Sequence, residues 1–493
     1  MTPASYVPAP TAAGSLVLAD VAVVDPASGE VTAHQDVRLE GERIASVAAH
    51  DDRTEGRSED AGAAASPRVV DASGLFVVPA YVDAHAHPLN DPEDVDATYA
   101  LMLAAGVAGY RQMSGSDELL ARRAAGTLRS PEGSPRLLAL PGDLLTPITA
   151  PDAKGAASTV RHQAERGADF IKAGFTNRST LLAAIAEGKE VGLDVVGHVP
   201  DDIDAREASE AGMHCMEHLG TGVSLYAASS RREQQVRKNA GGVPSLPRIP
   251  GLAPIANRIF QPFLMKLVVN PVARTSEKTA ENYRLVDRTF DEQRAESLAR
   301  LLAANTTWQC PTLIRVHTQQ IPGTPRHRDD PRKRFIAPDV LAVWESVTDT
   351  FEELPAPTRE ALAEHWEAQL RMTRVLADAD VPMLTGTDSN GASWVIPGLG
   401  LHDEFALLSE AGVSPTSILR AATSDAARFF GREDRAGAVR AGFEADLVLL
   451  GGDPTADAAA LADVRGVVRD GAYRDRAALD EMLERLAARP TAR

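Results

Sequence analysis

Between Phe76 and Asp388 the chain alternates eight times between a short apolar run closed by turn residues and a stretch whose apolar residues recur three and four apart. The runs read FVVPAYVDAH, GVAGYRQM, RLLALPGD, DFIKAGF, LDVVGHVP, HCMEHLG, TWQCPTLI and VPMLTGTD. Apolar text of this length fits a strand buried on both faces, and three-and-four spacing fits a helix with one apolar stripe. DVDATYALMLAAG, STLLAAIAEGKEVG, DEQRAESLARLLAAN and REALAEHWEAQLRMTRVLADAD carry that stripe. Eight strands, each followed by a helix, predict an α/β chain closed into a (β/α)8 TIM-type barrel.

A barrel of this kind takes about 250 residues, and the chain has 493. The excess can be located. His218 and Cys310 are 92 residues apart and Cys310 and Asp388 are 78 apart, where one strand-helix unit takes about 30–40. Insertions are therefore expected at about 221–290 and 315–360. Loops after barrel strands lie on the catalytic face, so both should form a lid or a pocket wall.

Both ends of the chain are β-like: SLVLADVAVVD and DVRLEGERIASVAA near the start, GFEADLVLLGGDP and VRGVVRDG near the end, before a last helix in DRAALDEMLERLAA. The expected division is residues 1–78 and 434–493 as two parts of one composite β-sandwich, with the barrel over 79–433. The Pro/Ala-rich start, the stretch DDRTEGRSEDAGAAASP and the last few residues read as loose. A net charge of −18 argues against nucleic-acid or membrane partners and favours a small-molecule substrate. Two cysteines, Cys215 and Cys310, build no disulfide framework, and no apolar run is long enough to span a bilayer, so a cytoplasmic protein is expected. The opening twenty residues lack a basic start and a continuous apolar stretch, so no leader is expected there. A homo-oligomer is left open.

The chemistry begins at His85 and His87 in YVDAHAHP. Residues i and i+2 of a strand point the same way, so both imidazoles enter the barrel mouth, a geometry that suits a metal ion. His198, His218 and Asp388 each end an apolar strand as well. His214 shares the face of His218 but lies deeper, and reads as structural. Lys172 in GADFIKAGF is one of only seven lysines among 51 basic residues. A lysine inside a strand must be paired or lose its proton. Beside so many metal ligands, a carbamate formed with carbon dioxide, able to bridge two metals, is the better of the two readings.

These motifs resemble the metal-dependent amidohydrolase superfamily, in the branch of imidazolonepropionase and the carboxylated-lysine prolidases. The likeness runs through VDAHAH, GADFIK, GHVP, MEHLG and TGTDS to LHDEFALLSEAGVSPTSILRAATSDAARFFG and GAVRAGFEADLVLL. It implies His85, His87 and Asp388 on a first divalent ion, His198 and His218 on a second, and carboxylated Lys172 bridging them. Zinc is the first choice, with manganese, cobalt or iron able to use the same ligands. The implied reaction is hydrolysis of an amide-like C–N bond, in a linear amide, an N-acyl amino acid, a dipeptide or a cyclic amide. A metal-bridging hydroxide attacks, and Asp388 shuttles the proton. The competing readings are a mononuclear deaminase of the cytosine or adenosine type and a non-catalytic scaffold. Two departures from the family stand out: Ala80 after Pro79, where glycine is usual, and VPDD after His198, which weakens transfer of dipeptide specificity. Arg111 is the candidate for a substrate carboxylate with His402 assisting, and Tyr226, Phe260, Phe263 and Trp394 are candidates for an apolar pocket.

Overall fold

The computed structural model describes residues 6–7, 15–51, 67–91, 94–240 and 269–489. The acidic stretch expected to be loose falls almost wholly outside them, as do most of the start and the last four residues. The N-terminal strands are β1 (Ser15–Val24), β2 (Val31–Glu40), β3 (Arg43–Ala49), β4 (Arg68–Asp71) and β5 (Phe76–Pro79). Seven short strands follow: β6 (Tyr81–Ala86), β7 (Val107–Gln112), β8 (Arg136–Ala139), β9 (Ile171–Ala173), β10 (Val195–Gly197), β11 (Cys215–Glu217) and β12 (Trp308–Cys310). The last are β13 (Leu447–Leu450), β14 (Val464–Arg469) and β15 (Ala472–Asp475), before the helix Arg476–Ala487.

The two ends of the chain meet in one hydrogen-bonded sheet. Its order is β15-β14-β13-β5-β1-β2-β3, with β4 also on β1. Side-chain alternation gives this sheet two apolar faces. Leu447 and Leu449 join Leu18, Val37, Ile44 and Val77 in a local core. Val448 and Leu450 point the other way, into the core shared with the large α/β part of the chain.

There, β6-β7-β8 and β9-β10-β11-β12 form two parallel sheets. The helices expected between strands are present at Val95–Ala104, Arg178–Val191, Glu292–Ala304 and Ala356–Asp378. Burial of one stripe, more than intrinsic propensity, holds them in place. One starts with the Asn177 side chain accepting from Thr180 N and ends at Gly192 in the left-handed conformation.

The eighth run, VPMLTGTD, is not a regular strand. It joins its neighbours by single parallel bridges, Gln309 to Met383 and Ala86 to Ser389, and by Leu384 N to Gln309 O and Ala84 N to Thr385 O. The cause is local. The Thr387 N–H is shared between the His85 carbonyl and the Asp83 carboxylate, and Asp388 turns to φ 60°. Between β8 and β9, Asp169 N donates to Leu140 O and Leu145 bridges to Ala173. No described helix is long and apolar enough to cross a membrane.

Candidate metal centre

His85 and His87 leave β6 on the same side, as alternation requires, with ring centroids 5.7 Å apart. Asp388 comes to them from the eighth run. Its Oδ1 lies 2.8 Å from His87 Nε2 and 3.4 Å from His85 Nε2. Gly386 makes the approach possible, since a Cβ there would meet the His85 Cβ at 2.6 Å and Cys310 Sγ at 2.7 Å. His218 follows β11, its ring 4.4 Å from that of His85 and 5.2 Å from that of His198. Lys172 sits in the middle of β9 and is buried. These six residues line one cavity of about 420 Å³. His218 and Asp388 both adopt left-handed backbone conformations, at φ 57° and 60°, a cost of about 1–2 kcal/mol each that is met at functional sites more often than elsewhere.

The structure also shows how these candidate ligands are held, which the sequence reading missed. Glu217 accepts from His85 Nδ1 at 2.7 Å, leaving Nε2 as the ring's remaining donor atom. His87 Nδ1 meets Ser114 Oγ at 2.8 Å, and His218 Nδ1 meets Thr312 Oγ1. Asp83 binds His85 N, Thr387 N and Thr387 Oγ1, tying β6 to the eighth run. Asp83 was legible in principle, two residues before His85 on the same face of the strand. Glu217 was not, because its partners come from β6 and β7.

Two expected substrate residues are placed elsewhere. Arg111 points into the interior beneath the ligands, where Nη2 donates to Glu217 Oε1 at 2.7 Å and Nε to Ala84 O at 2.6 Å. With one charge fully committed to a buried acid, it has none to offer a substrate. His402 Nε2 is spent on Ala105 O at 2.9 Å, behind the helix Val95–Ala104. Neither lines the cavity. Arg111→Met is therefore expected to lower stability by about 3–5 kcal/mol, the cost of leaving a buried acid unpaired. Urea unfolding of the metal-free protein would show it.

Burial holds His198 and His218 well below the ordinary imidazole value, and lowers His87 too. These rings are neutral, the state in which imidazole binds a metal. Burial also brings the Lys172 amine down to about 8, and Nζ makes no hydrogen bond. Burial alone would raise Asp388, but His85, His87 and Arg315 outweigh it and keep the carboxylate ionised. Neutral imidazoles, an ionised carboxylate and an orphaned amine around one cavity fit divalent ions. His85, His87 and Asp388 have donor atoms within 4.8 Å of one another. His85, Glu217 and Cys310 meet the same distance test, but Glu217 is taken by Arg111 and burial keeps the Cys310 thiol protonated.

Residues 353–473 match the profile described as Amidohydrolase family. No curated protein matches the chain. Among solved structures, a bottromycin amidohydrolase is 22% identical over 96% of this chain and 90% of its own, with a TM-score of 0.66. A Xaa-Pro dipeptidase with bound methionine is 16% identical over 94% and 100%, with a TM-score of 0.57. Phenylurea hydrolase B is 18% identical over 97% and 100%, with a TM-score of 0.55. At these identities the structures establish the shared fold. The family profile covers 121 of the 493 residues.

The protein builds its cavity walls partly from the long connections after β11 and β12, which supply Thr221, Pro271 and Val272 from one and Arg315 and Gln319 from the other. The helix Leu313–Gln320 carries the last two. Its N-cap residue, Thr312, is turned to φ 46° with its hydroxyl on His218. Glu404 caps the helix instead, its Oε2 accepting from Ile314 N at 2.8 Å. Burial pushes the Glu404 carboxyl up to about 8. Of the residues expected to form an apolar pocket, Tyr226 and Trp394 are buried away from the cavity, with side chains on Gln369 and Thr348. Phe260 and Phe263 lie outside the described residues. Phe175 and Leu144 line the cavity in their stead.

Proposed function

We propose that the protein is a metal-dependent amidohydrolase of the prolidase-like branch and hydrolyses an amide-like C–N bond at a dinuclear centre. His85, His87 and Asp388 would hold one divalent ion, His198 and His218 the other, and carboxylated Lys172 would bridge them. The observation that carries the reading is the Lys172 amine, buried among these ligands with no partner for Nζ. A cationic amine there is costly. Attack of the neutral amine on carbon dioxide forms an N–C bond, releases one proton to solvent and leaves an anionic carbamate. Zinc suits the imidazole-rich donor set. Divalent ions at this site would supply Lewis acidity and an activated water.

The protein's own residues do the rest. Glu217 and Thr312 fix which nitrogen of His85 and His218 faces the cavity. Asp388, ionised beside both histidines of β6, accepts a proton from the attacking water and returns it to the leaving nitrogen. We read the two parallel sheets, joined through the eighth run and the 140–145 segment, as a closed (β/α)8 barrel over 79–433. The mixed sheet folds beside it around its own core as the composite sandwich. Two buried free cysteines fit a cytoplasmic location.

The test is metal content together with a screen against N-acyl amino acids, dipeptides, lactams and imidazolones, followed by amine release. About two ions per chain and release from one of these classes are expected. One observation favours the mononuclear deaminase: His85, His87 and Asp388 by themselves form a ligand group. About one ion per chain, with ammonia released from a nucleobase, would replace the dinuclear reading.

A further inference from the structure

Among the described residues, Arg315 is the one basic side chain of the cavity wall that the proposed chemistry leaves unused. It is 8% exposed, lines the cavity, and faces Asp388 with Nε 2.5 Å from Oδ2. That contact is an ion pair only, because the Nε–H does not point along it and Nε has no hydrogen-bond partner. A guanidinium cannot lose its charge in a protein. Divalent ions would add further positive charge beside it and draw on the same carboxylate. The other described acid lining the cavity, Asp201, is engaged by Val223 N at 2.7 Å. The cavity is thus one anion short, and a planar fork of N–H donors is shaped for a carboxylate.

We infer that Arg315 binds the α-carboxylate of the substrate's leaving amino acid, so that the substrates are N-acyl α-amino acids or dipeptides with a free C-terminus. This rests on the hydrolytic reading above and narrows it. The position of the carboxylate follows from Asp388, which serves the leaving nitrogen and touches Arg315. The group held by Arg315 therefore lies only a bond or two from that nitrogen, as an α-carboxylate does. Leu144, Phe175, Val199 and Val272 on the same wall suit an apolar side chain. The role expected of Arg111 passes to a residue with no barrel-strand signature, which is why the sequence did not reveal it.

The experiment is calorimetric binding of the leaving groups to the zinc-loaded enzyme: leucine and phenylalanine, in both enantiomers, each beside its decarboxylated amine. Leucine or phenylalanine is expected to bind at least about tenfold tighter than its amine. Arg315→Met should lose about 10- to 100-fold of the amino acid's affinity and leave the amine's unchanged, while Arg315→Lys keeps part of the preference. Equal binding, no binding, or a preference that survives Arg315→Met would overturn the assignment. The wild-type comparison decides the matter even if Arg315→Met does not fold. A preserved preference with no amine release from any amide in the screen would count against the hydrolytic reading alone. Amine release without the preference would count against Arg315 alone.

Discussion

Lys172→Ala is expected to bind fewer than two metal ions per chain and to lose activity by several orders of magnitude. Removing only a supporting hydrogen bond from a metal ligand typically costs roughly 10- to 100-fold, and this change removes the proposed bridging ligand. The fold should survive, since the alanine deletes a buried amine that makes no hydrogen bond. Added acetate should restore part of the metal content and rate, because a free carboxylate fits the space left by the carbamate. Lys172→Arg should not be rescued, as its side chain fills the space and stays cationic. Two tightly held ions and full activity in the alanine variant would sink the dinuclear reading.

The same amine gives a pH dependence. Burial favours its neutral form, so its folded value near 8 lies below the ordinary lysine value. At pH 7 about a tenth of the amine is then neutral, against about one in three thousand for an ordinary lysine. Activation of metal-free protein by zinc and bicarbonate should rise with pH to a midpoint near 8. A midpoint above about 10, the ordinary lysine range, would mean that burial does not prepare the amine. The sign for stability is the same: the cost of burying this group is largest below about pH 8 and fades as pH rises towards the unfolded value.

The candidate ligand set was legible because each member ends or sits within an apolar run that reads as a strand, and a period of two fixes which side chains share one face. His85 and His87 needed no knowledge of the rest of the chain. Arg111 ends β7 in the same way, yet it serves Glu217 in the interior. Strand periodicity tells which face a side chain takes, and says nothing about whether a buried acid waits there. Arg315, Thr312 and Glu404 form a second group that pattern reading could not reach. Glu404 of the helix Leu399–Glu410 reaches Ile314 N, ninety residues away in the chain, Thr312 meets His218 and Arg315 meets Asp388, and no local spacing encodes such meetings. The eighth strand marks a further limit. Its text reads as a strand, but Asp83 shares the Thr387 N–H with the His85 carbonyl, takes the Thr387 hydroxyl, and the backbone turns to a left-handed conformation at Asp388. That loss of regularity is what points the Asp388 carboxylate at the histidines.

Asp388→Asn is expected to keep most of its metal and to lose about 10²- to 10⁴-fold in kcat, the usual worth of a positioned general acid–base group. The amide oxygen can still face the ligand histidines, but it cannot hold a proton near neutral pH. The variant should also separate the two duties of this residue. If Asp388 moves the proton, the rate falls most for amides with poorly stabilised leaving amines and least for activated anilides, whose nitrogen departs with less need of a proton. If it only anchors metal, the losses should be equal across substrates and should follow metal content. The neighbouring cation sharpens the contrast. A neutral amide in place of the carboxylate no longer offsets the charge of Arg315, so an anionic leaving group should bind at least as tightly as before while its turnover collapses. Weaker binding of leucine in this variant would mean that Asp388 orients the guanidinium, and near-wild-type turnover would remove the proton-shuttle role.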